Sequence, residues 1–165
     1  MKRILFVIVV ACALLVAPGI AQAYDQVDEI AWKTGTGDNW YTFVGDVYTT
    51  LNGDMLTVEY VARPGYMFAE THLAVAETVE AIPHRNGGPV PGRFPYGMEH
   101  APLVGTQTYS VDVSGMDLPV VIVAHAVVVR LSDCTRETGW ATGCTSPTWA
   151  YPGSNWARYF MFPRP

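Results

Sequence analysis

The sequence predicts an all-β fold, an antiparallel β-sandwich of about six to eight strands with one long loop rich in proline and glycine. Three observations carry that prediction. Apolar and polar residues alternate with a period of two over most of the chain, as half-buried strands require. No segment sustains the 3.6-residue period of an amphipathic helix beyond about two turns, so the crossover helices that a parallel sheet needs are missing from the pattern. One run, Val120–Arg130, is apolar on both faces and rich in β-branched residues, which marks a central strand covered on both sides.

The amino terminus reads differently from the rest. A basic pair, Lys2 and Arg3, precedes an apolar run over residues 4–16 and the small-x-small triplet Ala21, Gln22, Ala23, the pattern of a secretory signal peptide cleaved after Ala23. A retained anchor would need ~20 apolar residues, and Pro18 and Gly19 interrupt this run near its end. Cys12, which follows Val9, Val10 and Ala11 as in a lipoprotein box, lies in mid-run with more apolar residues after it. The expected organisation is a signal peptide over residues 1–23 and a single β-sandwich domain over 24–165, with no membrane span after cleavage.

Removing that segment from the 165 residues takes two of the ten basic residues and none of the 15 acidic ones, so a net charge of −7 is expected. Such a balance offers no electrostatic footprint for nucleic acid. It leaves two cysteines, Cys134 and Cys144, which in an exported chain predict a disulfide closing a loop of about ten residues and contributing ~2–3 kcal/mol.

The strands follow in order. Residues 29–33 form a short first strand. Residues 40–50 form a second, with Tyr41, Phe43, Val47 and Thr49 on one side and a bulge expected at Gly45, where the alternation slips. Asn52 and Gly53 form a hairpin signal between this strand and residues 55–61, whose Leu56, Val58 and Tyr60 point inward. After the turn at Arg63, Pro64 and Gly65, residues 66–76 alternate Ala69, Thr71, Leu73 and Val75 against Phe68, Glu70, His72 and Ala74. Residues 78–82 suggest one helical turn.

Residues 83–105 carry five prolines and five glycines, too many for regular structure, so a long excursion is expected, packed down by Phe94 and Tyr96. Residues 108–113 place Tyr109, Val111 and Val113 inward. The central strand over 120–130 follows, then the disulfide loop, and a last strand over 156–162 stopped by Pro163.

In that order, several short motifs resemble an uncharacterised module of secreted and cell-surface bacterial and archaeal proteins. They are Glu70-Thr71-His72-Leu73-Ala74-Val75, Ile82-Pro83, Pro89-Val90-Pro91-Gly92-Arg93-Phe94-Pro95-Tyr96, Ala124-His125-Ala126-Val127, Glu137-Thr138-Gly139-Trp140 and Asn155-Trp156-Ala157-Arg158-Tyr159-Phe160. The module's own versions read ETHLHV, IP, PIPGQFPY, AHAVV, ETAW and NWATYF, and the likeness spans residues 40–162. This sequence departs from it at Ala74, where the module has a second histidine, at Gly139 (alanine), at Arg158 (threonine), and in the Cys134/Cys144 pair. The resemblance implies a β-sandwich, export and extracellular display, and it implies no reaction mechanism.

Two constellations bear on chemistry. Glu70 and His72, two apart on one strand, share a face, and His125 on the central strand lies beside them if those strands pair. Together they form a candidate divalent-metal cluster, with hydrogen-bonded burial as the competing reading. Trp140, Trp149 and Tyr151, read as loop residues in and after the disulfide segment, form a candidate stacking platform for sugar rings, with capping of the sandwich as the competing reading. His84 and His100 read as solvated loop residues. No G-x-S-x-G elbow, H-E-x-x-H motif or free thiol offers a nucleophile or catalytic zinc site, and Gly35-Thr36-Gly37 lacks the rest of a dinucleotide loop. The expectation is therefore a secreted or cell-surface module without enzymatic activity, structural or binding in role, whose partner is an extracellular polysaccharide or a surface protein and which needs no cofactor. A carbohydrate-binding module is the alternative, and a metal-dependent hydrolase using a divalent metal at Glu70, His72 and His125 stands third.

Overall fold

The computed structural model describes residues 26–33, 41–143, 149–150 and 156–163. The predicted signal peptide, Cys144 and Tyr151 lie outside these residues. Twelve strands are described: β1 (Gln26–Lys33), β2 (Tyr41–Asn52), β3 (Met55–Ala62), β4 (Tyr66–Ala76), β5 (His84–Arg85), β6 (Gly88–Pro89), β7 (Tyr96–Val104), β8 (Thr106–Asp112), β9 (Val120–Arg130), β10 (Arg136–Gly143), β11 (Trp149–Ala150) and β12 (Arg158–Phe162). Every pairing is antiparallel.

The main sheet runs β7-β4-β9-β10-β1-β2-β3-β8, with β12 pairing the start of β9 beyond the reach of β10, and β5 and β6 form a separate small hairpin. The sheet rolls until its far end meets β4. Tyr60 Oη on β3 donates to the His72 carbonyl at 2.9 Å, and Tyr109 Oη on β8 donates to the Thr71 carbonyl at 3.0 Å. The result is the all-β sandwich that the sequence predicts, rolled close to a barrel, and its interior holds Ile30, Val47, Leu56, Val58, Tyr60, Phe68, Leu73, Ile122 and their neighbours.

Local chemistry accounts for most elements. Leu56, Val58 and Tyr60 are fully buried, as the alternation predicts. The β2–β3 hairpin pairs Asn52 with Met55, so Gly53 takes the first central position of a two-residue turn with φ +59°, a position that favours glycine. The expected irregularity in β2 is present: Ile30 faces Gly45 and Ala31 faces Phe43, so Val44 is the extra residue. A side chain at Gly45 would meet the Val61 carbonyl oxygen at 2.9 Å and the ends of Ile30 and Phe68 at 3.2 Å. The carbonyl belongs to the β2–β3 ladder and cannot yield without separating the strands. Gly45→Ala is expected to cost about 1–3 kcal/mol, read as a lower urea midpoint; an unchanged midpoint would show that the strands are less tightly apposed.

Three readings of the sequence are corrected. Residues 96–104, expected as irregular chain, form β7; the stretch before it holds the short β5–β6 hairpin and a 3₁₀ turn at Pro91–Arg93, and the helical turn expected over residues 78–82 is a 3₁₀ turn at Val79–Ala81. β7 pairs with β4 alone, so it is an edge strand, where Pro102 leaves no ladder donor missing. Phe94 is buried and Tyr96 packs on the core, as expected. Residues 136–143, read as part of a disulfide loop, form β10 between β9 and β1. Its inward residues are Gly139 and Ala141, too small to show as hydrophobic alternation, and Gly139 is required because a Cβ there would lie 2.8 Å from Ile30 Cγ2.

The third correction concerns the faces of β4. A bulge at Ala69 shifts the register between Phe68 and Glu70, so Phe68 turns into the core while Glu70 and His72 stay on the outer face. Cys134 is exposed at φ 58° and is unbonded among the described residues; the predicted partner, Cys144, falls outside them.

Candidate functional site

The outer face of β4, β9 and β10 carries a second, smaller apolar cluster. Ala74 on β4, Val121 and Val123 on β9 and Trp140 on β10 are covered by Ile82 and Phe94 from the irregular segment and by Ala157. Beside that cover lies an open groove of about 510 Å³, whose polar and aromatic lining is Glu70, His72, Glu99, His125, Thr138, Trp140 and Trp156.

The strand ladder places its polar residues. His72 and His125 are direct partners across β4 and β9, so their side chains leave the sheet on the same side. Their Nδ1 atoms lie 3.4 Å apart and their ring centroids 5.5 Å apart. Trp140 packs on the other side of the His125 ring at 4.5 Å between centroids. His72 lies over Gly97 of β7, where a Cβ would come within 2.9 Å of His72 Cδ2, so the space for this imidazole depends on that glycine. Glu70 pairs with Glu99 across β4 and β7, which brings a second carboxylate beside His72. Arg136 Nη2 on β10 forms an ion pair with Glu70.

Burial decides the charge of the imidazoles. His125 is 6% exposed, and desolvation, with His72 adding to it, pushes its pKa down to about 3. Burial also lowers His72, against the opposing pull of Glu70 and Glu99. Both rings are therefore neutral near pH 7, each with one nitrogen able to donate and one able to accept.

The structure thus brings together two of the three residues of the expected metal cluster as close partners, while the carboxylate of the third, Glu70, is engaged by Arg136. Among the described residues, no three histidine, cysteine, aspartate or glutamate side chains converge as a metal-binding group. Of the expected aromatic platform, only the Trp140 side chain lies within the described residues. Trp140 is on strand β10 and 7% exposed, not in a loop. Trp149 opens β11 opposite Tyr159, with its side chain outside what is described, as is Tyr151. Trp156, assigned from sequence to a strand, precedes β12 and lines the groove half-buried.

Sequence reasoning also missed Glu99, which was hidden in the stretch read as irregular. His100, read as a solvated loop residue, is buried on the inward side of β7, where Nε2 meets Thr71 Oγ1 at 3.0 Å and that hydroxyl meets Tyr109 Oη at 2.7 Å. It belongs to the seam that closes the sheet, not to the groove. His84 is exposed, as expected, with Nδ1 2.7 Å from the Ile82 carbonyl.

Chemically, the groove offers the half-buried Trp156 indole as stacking surface beside the largely buried Trp140, two carboxylates and a threonine hydroxyl as hydrogen-bond partners, and a pair of neutral imidazoles. No helix among the described residues is long and apolar enough to cross a membrane. Compared with protein-family models, curated proteins and solved structures, the chain matches none.

Proposed function

We propose that this chain is an exported binding module, secreted or held at the cell surface and without catalytic role, whose groove takes a sugar unit of an extracellular polysaccharide. The observation that supports it is the conjunction, in one open groove, of Trp156 and Trp140 with Glu70, Glu99 and Thr138. Sugar rings present C–H faces that favour aromatic surfaces and hydroxyls that donate to carboxylates, so a site of this composition suits a neutral polyol better than an anion. The amino-terminal sequence pattern supports export, and an oxidising destination suits Cys134 and Cys144 as a disulfide pair.

The test is retention of the mature protein on insoluble polysaccharides such as cellulose, chitin, xylan and peptidoglycan. Wild type is expected to be retained on one of them, and Trp156→Ala to be retained at least tenfold less, about 1.4 kcal/mol of lost affinity, with an unchanged circular dichroism spectrum. No retention on any of the four, or equal retention of variant and wild type, would overturn the reading.

A further inference from the structure

We propose that His72 and His125 together bind a divalent transition cation of the zinc class through their two Nδ1 atoms. The distance between those atoms is the first argument. At 3.4 Å it is long for a hydrogen bond, N–H···O bonds in proteins spanning about 2.7–3.2 Å. Two nitrogens each ~2.0–2.1 Å from one tetrahedral ion are themselves separated by about 3.3–3.4 Å. Little rearrangement is needed to place an ion between the rings.

The supporting structure holds both rings in that relation. His125 is fixed by its central strand and by Trp140 against its ring, and His72 is seated over Gly97. The surroundings favour a cation: Glu70 and Glu99 stand together beside His72, and Arg136 offsets only one of the two negative charges. Imidazole nitrogen selects zinc, copper or nickel over magnesium or calcium, which prefer oxygen.

No third protein ligand converges on the pair among the described residues, so the remaining coordination positions open to the groove and are filled by water or by oxygens of a groove ligand. That arrangement describes an exchangeable ion, unlike the four closed protein ligands of a structural zinc site. The inference does not depend on the polysaccharide reading, because it rests on the two imidazoles and the charges beside them and not on a bound sugar.

The mature chain, stripped with EDTA and dialysed free of it, is titrated with zinc chloride by calorimetry at pH 7.5. One equivalent is expected to bind with micromolar affinity, with no heat from magnesium or calcium. His72→Ala, a half-buried site whose loss leaves the core intact, is expected to weaken zinc binding at least tenfold while keeping the wild-type near-ultraviolet dichroism. Absence of zinc binding, or undiminished binding by His72→Ala, would overturn the proposal. Polysaccharide retention measured in EDTA separates the two readings: retention without any zinc binding removes the metal site and leaves the glycan site, and zinc binding without retention does the reverse.

Discussion

Phe68→Ala is expected to cost about 3–5 kcal/mol of folding stability, the range for truncating a fully buried phenylalanine. Phe68 has no exposed surface, and its ring stands edge-on to Tyr60 at 6.1 Å between centroids. It also bears on the close approach at Gly45, whose Cβ position lies 3.2 Å from the Phe68 ring. Removing the ring leaves a cavity where β2, β3 and β4 meet, and the strand ladders prevent them from collapsing into it. Against a typical domain stability of about 5–15 kcal/mol the loss is large enough to leave a marginal fold. Urea unfolding of wild type and variant measures it directly. A loss below about 1 kcal/mol would mean that Phe68 does not reach the interior, and so that the bulge at Ala69 is not formed in solution.

Acid is expected to destabilise this protein through His125 well above the pH at which most carboxylates titrate. The folded state holds this imidazole at a pKa of about 3, against the ordinary 6.5 expected when unfolded. The unfolded chain therefore takes up a proton that the folded one refuses. The stability contribution is complete above about pH 6.5 and is lost progressively as the pH falls towards 3, where it levels off. At pH 4 the difference amounts to roughly 2.5 pH units at ~1.4 kcal/mol each, on the order of 3 kcal/mol.

The groups around the ring are His72 on β4, itself lowered by burial, Trp140 on β10, and the carboxylates Glu70 and Glu99 nearby, which temper His72. The measurement compares unfolding free energies at pH 7 and pH 4 in EDTA for wild type and His125→Gln, in which the carboxylates titrate alike and cancel. Wild type is expected to lose about 3 kcal/mol more than the variant. An equal loss would overturn the assignment, as would an NMR titration showing His125 protonated in the folded state above pH 5. The NMR measurement serves equally if the variant does not fold.

How much of this was legible in advance can be judged strand by strand. Where a side chain's burial depended only on its own strand's alternation, the sequence was sufficient: β3 with Leu56, Val58 and Tyr60, β8 with Tyr109 and Val111, and β9, buried along both faces, were each readable. Period-two patterning is a local consequence of the pleat, and a turn such as that at Gly53 is a local consequence of backbone freedom. β10 and β7 were not readable, for opposite reasons. β10 turns its smallest residues, Gly139 and Ala141, inward, because Ile30 already fills the space they face. β7 carries glycine and proline that would break an interior strand but are tolerated at an edge.

The site followed the same division. That Glu70 and His72 share a face was a matter of spacing alone, and the sequence by itself determined it, together with the all-β class, the hairpin and the doubly covered central strand. Tertiary structure decided the rest. The register of β4 against β9 set His72 opposite His125, and the ladder to β7 brought in Glu99. Trp140 was moved from a supposed loop to a strand, where it packs against His125. A strand's own residues specify which way each side chain points, but which residue stands opposite is set by hydrogen-bond register between segments some fifty positions apart. That register is selected by the packing of the whole interior, where a slip of one residue would exchange its buried and exposed faces.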